Sequence, residues 1–567
     1  MSRAPRATGL SGQGGARVPT ITRVTDFRTR VPALATIVAG VAALASVWQP
    51  SALAAPTASL PSLASVASPS LSRIAGADRF ATSVAASRAA FPTGTRVPVV
   101  YLAPAVFDEA YSAVPAAAAQ GGAVLLTPPD VLPAVVAAEL DRLDPTRIVL
   151  IGDSSRMSSA VATAAARYGP VSRIGVSSRV GTSLALNRAA FTSSSRAWVA
   201  TSSSTSESVL GAVAAAGHRA PLLVVAGTDA DLSSAHAGLL RALGVTSVTI
   251  VGGTGAVSTG IAADLAALVG AANVVRASGT DRPATSARVN ALAWPSMTTG
   301  TAYVANASDL SNAFAGALLA GRGRRPLYYT APYCIPASVR PALVGPAVTK
   351  VALLGAESSV RLLAGRLEPC RSIDAASSVW VLVNKRNAVS PRTFAPSDLV
   401  VPSMPYANSQ RLRREAADAL ARMAAKSYAE GAGRVGIDTA FRSYATQKAL
   451  YDRYLASRGR TWTDTWYMRP GFSEHQTGLA VDLLPIGRAN CRINDCIDET
   501  PQGVWLATNA WRFGFVLRYE KGRTATTGIG FEPWHFRYVG GPLARAYRDG
   551  RWHTYEQFLG EPAAPTY

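Results

Sequence analysis

Two observations predict an α/β region of three repeated units followed by a mixed α+β domain with a small antiparallel sheet. One is a short segment that recurs about every hundred residues from Arg73 to Arg282, the mark of a repeat architecture. The other is a change of texture after Cys370. There the apolar run Val379-Trp380-Val381-Leu382-Val383 starts a new domain that carries two of the five His, His475 in a loop and His535 on a separate strand, with acids close by.

The chain opens with Arg3, Arg6, Arg17, Arg23, Arg28 and Arg30 against one acid, Asp26, and continues into a nearly unbroken apolar run, 31–47. Ser51-Ala52-Leu53-Ala54-Ala55 then supplies the small residues of a cleavage site, so residues 1–55 are expected to be a secretory signal peptide. A retained membrane anchor is the alternative, because a run of about 17 residues lies at the short limit for spanning a bilayer. After signal cleavage no further transmembrane segment is expected. Residues 56–72, rich in Ala, Ser and Pro, read as a linker.

The three copies of the repeated segment are Arg73-Ile74-Ala75-Gly76-Ala77-Asp78-Arg79, Arg173-Ile174-Gly175-Val176-Ser177-Ser178-Arg179 and Arg276-Ala277-Ser278-Gly279-Thr280-Asp281-Arg282. Each precedes an alanine-rich helical pattern. Each unit later carries an apolar run closed by glycine: Ile148–Gly152, Val248–Gly253 and Val351–Gly355. Short Val/Ile/Leu runs alternating with helices indicate parallel strands with crossover helices, hence three Rossmann-like units at 73–172, 173–275 and 276–372. Gly252-Gly253-Thr254-Gly255 follows a strand, but its spacing departs from the dinucleotide fingerprint and no fitting acid follows.

These copies resemble the type 2 cell wall binding repeat, the first most closely, through Gly76-Ala77-Asp78-Arg79-Phe80 and Leu125-Leu126-Thr127-Pro128. The resemblance implies non-covalent attachment to an anionic secondary cell-wall polymer. It names no contact residues, since the repeated Asp and Arg serve equally well as internal structure. A net charge of +21 suits a polyanionic partner. Nucleic acid is not expected, because no basic stripe with interleaved aromatics is present.

Four Cys fit an oxidising compartment, with Cys334 expected to pair with Cys370 and Cys491 with Cys496, against the alternatives of free thiols or a second metal site.

The last domain is read as 377–567. Leu412 to Tyr428 carries Leu412, Ala416, Leu420 and Met423 at helix spacing. Ser473-Glu474-His475-Gln476-Thr477-Gly478-Leu479-Ala480-Val481-Asp482-Leu483 and Glu532-Pro533-Trp534-His535 hold the chemistry. Imidazole and carboxylate are the usual ligands of a catalytic zinc, three from the protein with one position open. His475 lies in a loop, Gly478 lets the backbone turn, and Leu479-Ala480-Val481 reads as a buried strand ending at Asp482, with His535 as third ligand. Pro533 excludes a helix across Glu532 to His535. Glu532 is then free to take a proton from the attacking water and pass it to the leaving amine. Arg442, in Phe441-Arg442-Ser443-Tyr444-Ala445-Thr446-Gln447, has a guanidinium suited to an oxyanion or a terminal carboxylate.

These stretches resemble the signature of VanY-type D-alanyl-D-alanine carboxypeptidases, zinc peptidases of the LAS group, Ser-x-His-x-x-Gly-x-Ala-x-Asp followed by Glu-x-Trp-His. Every fixed position is matched. Two flanking positions depart from the family, Ala440 and Phe441 standing where it has Gly and Tyr. The resemblance implies one Zn2+ per domain held by His475, Asp482 and His535, Glu532 and Arg442 as catalytic groups, and Arg442, Gln447 and Ser473 as substrate contacts. The implied substrate is a peptidoglycan stem peptide ending in D-Ala, cut by an enzyme that is secreted and wall-attached. An L,D-carboxypeptidase or stem endopeptidase would use the same ligands, and a binding protein with an inactive domain is the rival of a different class.

Overall fold

The computed structural model describes residues 68–567 other than 177, 297–299, 405–409 and 492. The expected signal peptide and residues 56–67 of the expected linker lie outside the described residues, while Ser70, Leu71 and Ser72, expected as linker, belong to a strand. Among the described residues no helix is long and apolar enough to cross a membrane.

The repeat region contains β1 (Ser70–Ile74), β2 (Val99–Pro104), β3 (Ala123–Thr127), β4 (Arg147–Ile151), β5 (Val171–Ile174), β6 (Arg196–Thr201), β7 (Leu222–Val225), β8 (Ser247–Val251), β9 (Val274–Ala277), β10 (Gly300–Asn306), β11 (Leu327–Thr330) and β12 (Val348–Leu354). They form three parallel sheets of one topology, β3-β2-β4-β5, β7-β6-β8-β9 and β1-β12-β10-β11. The strand holding each Arg-Ile or Arg-Ala pair is thus the last strand of the preceding sheet. No sheet precedes the first copy among the described residues, and β1 crosses to the third sheet, where Leu71 pairs with Val351. The folded units begin one strand later than repeats counted from 73, 173 and 276.

This pairing explains why an arginine and a distant glycine recur together. Arg173 donates to the carbonyls of Gly152 (2.9 Å) and Met157 (2.8 Å), Arg276 to Gly252 (3.0 Å), and Arg73 to Gly355 (2.8 Å) and Val360 (2.9 Å). Gly152, Gly252 and Gly355 sit at φ 90°, 109° and 100°, where a side chain is strained, and the arginine satisfies the carbonyls that the turn exposes. The acid of the segment caps the helix after it: Asp78 accepts from Ala81 N and Asp281 from Ala284 N, both at 2.7 Å. Ser178, where the second copy departs from Asp, accepts from Gly181 N at 3.0 Å and keeps the cap.

Three helices, Ala113–Ala119, Thr205–His218 and Leu310–Arg322, pack together at the centre and are buried over most of their length. Small residues permit this approach. A Cβ on Gly321 would stand 2.6 Å from the Cβ of Ala216.

The C-terminal domain has a two-residue antiparallel pair, β13 (Leu399–Val400) and β14 (Leu412–Arg413), followed by the helix Arg414–Ala429. Leu412 was expected in that helix; it belongs to the pair. The helix buries Ala416, Leu420 and Met423 against a four-stranded antiparallel sheet of β15 (Val435–Thr439), β16 (Ala480–Pro485), β17 (Phe515–Tyr519) and β18 (Glu532–Tyr538), in the order β15-β16-β18-β17. Cys334 is bonded to Cys370 and Cys491 to Cys496.

No spacer separates this domain from the third unit. Cys334 belongs to the C-terminal core, with Tyr333 packed at its edge against Trp380 (6.3 Å between centroids) and Phe558 (6.1 Å). Arg361 lies over the Trp552 ring at 4.2 Å and donates to the Phe558 carbonyl. Burying one large apolar side chain contributes about 1.5–3 kcal/mol. A fragment restricted to 377–567 is therefore expected to be less stable than the chain from Pro56 by about 3 kcal/mol or more. Equal denaturant midpoints for the two would contradict this.

Candidate active site

Asp482 and His535 are cross-strand partners on β16 and β18, so their side chains leave one face side by side. His475 arrives from the short 3₁₀ turn Glu474–Thr477, which Gly478 ends at φ 67°. A Cβ on Gly478 would meet Leu399 at 2.9 Å, so both conformation and space call for glycine. Residues three apart on a regular strand point to opposite faces. Between Leu517 and Tyr519 the pairing of β17 with β18 shifts register, and Glu532 reaches 3.6 Å from Nδ1 of His535 on the same side.

The geometry turns one nitrogen of each ring towards Asp482 and engages the other elsewhere. His475 Nδ1 lies 2.7 Å from the Ala440 carbonyl, which only accepts, so it carries the proton and Nε2 keeps its lone pair, 3.2 Å from Asp482 Oδ2. His535 Nε2 faces Glu474 Oε2 at 3.3 Å, leaving Nδ1 at 3.1 Å from Asp482 Oδ1. One ligand atom from each of the three residues fits within 4.8 Å of the others, and all three residues are buried. Asp482 Oδ1 is buried without a hydrogen bond despite that short approach. A buried carboxylate set between two imidazoles, each held by a partner on its far nitrogen, fits a divalent cation that takes N and O ligands and displaces the proton of His535 Nδ1.

Electrostatics point the same way. Burial alone would raise the Asp482 carboxyl, but the two imidazoles hold it well below the usual carboxylate range. Burial would depress His535, yet the Asp482 and Glu474 carboxylates prevail and push it up to about 9. Burial, with the nearby Asp482 charge adding to it, raises Glu532 to about 8 against the pull of His535.

Arg442 and Ser473 line a cavity of about 370 Å³ with the three candidate ligands and Glu532; Trp466 and Trp534 form part of its wall. Arg442 is fixed by its backbone N–H on the His475 carbonyl (3.2 Å) and by Nη1 on Gln447 Oε1 (2.8 Å), with Nη2 at 4.0 Å from Asp482. Gln447 departs from expectation. It is fully buried behind Arg442, and its Nε2 donates to the Met468 carbonyl at 2.5 Å, so it holds the arginine and presents no group to the cavity.

Residues that the sequence reading passed over complete the site. Glu474 Oε1 accepts from Arg518 Nε and Arg537 Nη1, both at 2.9 Å, and Arg518 forks onto Glu556 at 3.0 and 2.7 Å. Glu556 also accepts from Asn384 at 3.0 Å. Arg537 Nη2 further serves the Val379 and Val381 carbonyls, which helps the apolar stretch 379–383 to be buried outside any sheet. The one available signal was charge at strand positions where a sheet covered on both faces should be apolar.

Two families match the chain. The family described as D-alanyl-D-alanine carboxypeptidase (VanY) matches residues 409–541, which contain every residue of the cavity just named. Cell wall binding domain 2 matches 73–162 and 173–262, and the third unit shares their sheet order. YodJ of Bacillus subtilis (strain 168), which is named as a carboxypeptidase, is 34% identical over 190 residues, 32% of this chain and 68% of YodJ. A D-alanyl-D-alanine carboxypeptidase of Enterococcus faecium is 32% identical over 131 residues, 23% of this chain and 38% of that protein. The solved structure of the LdcB LD-carboxypeptidase is 34% identical, covering 33% of this chain and 88% of that one, at a TM-score of 0.31.

Proposed function

The chain belongs to the VanY family of D-alanyl-D-alanine carboxypeptidases, and from that premise we propose a secreted, wall-anchored zinc peptidase that removes the terminal D-alanine from peptidoglycan stem peptides. The observation that carries the reading is the trio His475, Asp482 and His535, with each ring's far nitrogen already engaged and the Asp482 carboxylate buried between the two rings. Zinc held by His475 Nε2, Asp482 and His535 Nδ1 supplies Lewis acidity and lowers the pKa of water at the site.

The side chains do the rest. Arg442, pinned by Gln447, offers its guanidinium to the substrate's terminal carboxylate or to the oxyanion that develops at the scissile carbonyl. Glu532 takes the proton of the attacking water on Oε2 and returns it to the nitrogen of the departing D-alanine. The three parallel-sheet units attach the enzyme to an anionic wall polymer.

The test is mature protein from Pro56 with a soluble pentapeptide ending in D-Ala-D-Ala, products read by mass, with chelator and zinc add-back. Metal-dependent release of one D-alanine is expected. Cleavage only of a tetrapeptide, or of an internal bond, would overturn the substrate assignment.

Zinc binding has a pH dependence of its own. His535 keeps its proton up to about pH 9 in the metal-free protein, and a ligand nitrogen must be free of it. Zinc affinity is therefore expected to rise with pH up to about 9, with at least one proton released on binding at pH 7. Calorimetry in buffers of different ionisation enthalpy measures that proton, and binding heats independent of buffer would show His535 already neutral.

A further inference from the structure

The three central helices of the repeat region end together around a second cavity, of about 870 Å³, to which all three units contribute. Arg96 and Gln120 come from the first, His218 and Arg219 from the second, Arg322 and Arg324 from the third. All four arginines are exposed. The rim holds little negative charge in return: Arg96 pairs with Asp144 at 2.7 Å, and Arg322 lies over the Phe91 ring at 4.5 Å. Neither Arg219 nor Arg324 makes an ion pair with any described residue.

The backbone at these two positions is informative. Arg219 and Arg324 follow their helices in left-handed conformation, φ 49° and 52°, where glycine is the default and other residues are uncommon. Two equivalent turns in different units thus place an unpaired guanidinium at the same cavity despite the local cost. Favourable interaction with a helix C-terminus accounts for an arginine such as Arg322. It does not account for Arg96, which lies beyond its unit's first helix, at the approach to β2. His218 adds shape and no charge. Its ring is stacked between Trp198 (6.0 Å) and Trp294 (5.4 Å), and Nε2 lies 3.1 Å from the Ala293 carbonyl while Nδ1 faces Arg196 at 3.4 Å.

We propose that this cavity is a polyanion site, in which Arg219, Arg322 and Arg324, with Arg96 at the rim, take successive oxyanions of an acidic glycopolymer. The identity of the polymer as a wall component rests on the anchoring reading above; the site itself does not. Guanidinium forks match phosphodiester and carboxylate groups alike, and a concave surface of one sign concentrates the field on them. Nucleic acid fits poorly, since Phe91 and Trp294, the aromatics nearby, are buried and offer no face for stacking bases. No single unit possesses the cavity, which gives a reason for three.

The test compares the mature chain with an Arg219→Gln/Arg322→Gln/Arg324→Gln variant. Sedimentation with purified walls is measured alongside binding to soluble poly(glycerol phosphate), polyglucuronate and single-stranded DNA. The triple variant is expected to bind the preferred acidic polymer about tenfold or more weakly, with a shallower salt dependence. Cleavage of soluble stem peptide should be unchanged. Arg324→Gln alone, an exposed substitution, should give a smaller loss of the same kind and keeps the test open if the triple variant is unstable. Equal polymer affinity in variant and parent overturns the site, as does DNA bound as tightly as either glycopolymer. A parent that fails to sediment with walls, yet binds soluble polymer through these arginines, overturns wall anchoring and leaves the site standing.

Discussion

Glu532→Gln is expected to lower kcat for a D-Ala-D-Ala pentapeptide by about 10²–10⁴-fold, the usual range for loss of a general base, while zinc stays bound at one per chain. The substitution is close to isosteric with the protonated acid, and Glu532 is not one of the three residues whose ligand atoms converge. KM should change little, because Arg442 and the cavity walls remain. Stability supplies a control with a definite sign. The folded-state pKa, raised to about 8, lies above the unfolded value, so this group's contribution is fully present below about pH 4.5 and is lost as pH rises towards 8. Metal-free Glu532→Gln protein escapes that loss. Its melting temperature relative to the parent should therefore climb between about pH 4.5 and 8 and level off above. Turnover within tenfold of the parent would remove Glu532 from the proton transfer.

How much of this was legible in the chain depended on the range of the interaction. His475, Asp482, Glu532 and His535 stand in two short stretches whose residue types admit few other purposes together, and Pro533 excludes a helix from local sterics alone. The repeat was visible for the same reason, as Arg, capping acid and turn glycine recur at fixed offsets. Long-range choices left no such trace. Nothing local in Ser70–Ile74 says that it pairs with a strand 280 positions later (Ser70↔Lys350), and its resemblance to β5 and β9 points to the wrong sheet until the circular closure is seen. Gln447 illustrates a second limit. Four residues after Ser443, it sits in the first turn of its helix whether it faces the cavity or packs behind Arg442, and one sequence does not separate the two. Glu474 illustrates a third, since an acid beside a metal-binding motif reads as exposed until Arg518 and Arg537 are brought to it from two other strands.

Glu474→Gln is expected to cost about 3–5 kcal/mol of stability, the range for removing one partner from a buried ionic group. Glu474, Glu556, Arg518 and Arg537 are almost wholly inaccessible to solvent, and two carboxylates balance two guanidinium groups. The amide leaves that group with a net positive charge away from water. It also presents N–H donors towards Arg518 and Arg537, neither of which accepts there. The same change should weaken zinc binding by about 10–100-fold, as loss of a ligand's hydrogen-bond partner commonly does. The Glu474 carboxylate holds the proton of His535 on Nε2, whereas a neutral amide lets it move to Nδ1, the nitrogen that faces Asp482. Burial would raise the Glu474 carboxyl, but Arg518 and Arg537 hold it well below the usual range. Its contribution to stability is accordingly present above the unfolded value and lost only as pH falls through the depressed one. The stability gap between parent and variant should therefore be flat from about pH 5 to 6.5 and narrow above that, as the parent loses the His535 proton that Glu474 helps to hold, whereas the gap produced by Glu532→Gln starts to change near pH 4.5. Denaturant unfolding of metal-free protein across that range, with chelator competition for zinc affinity, measures both. A stability loss under about 1 kcal/mol with unchanged zinc affinity would reduce Glu474 to a bystander of the motif it sits in.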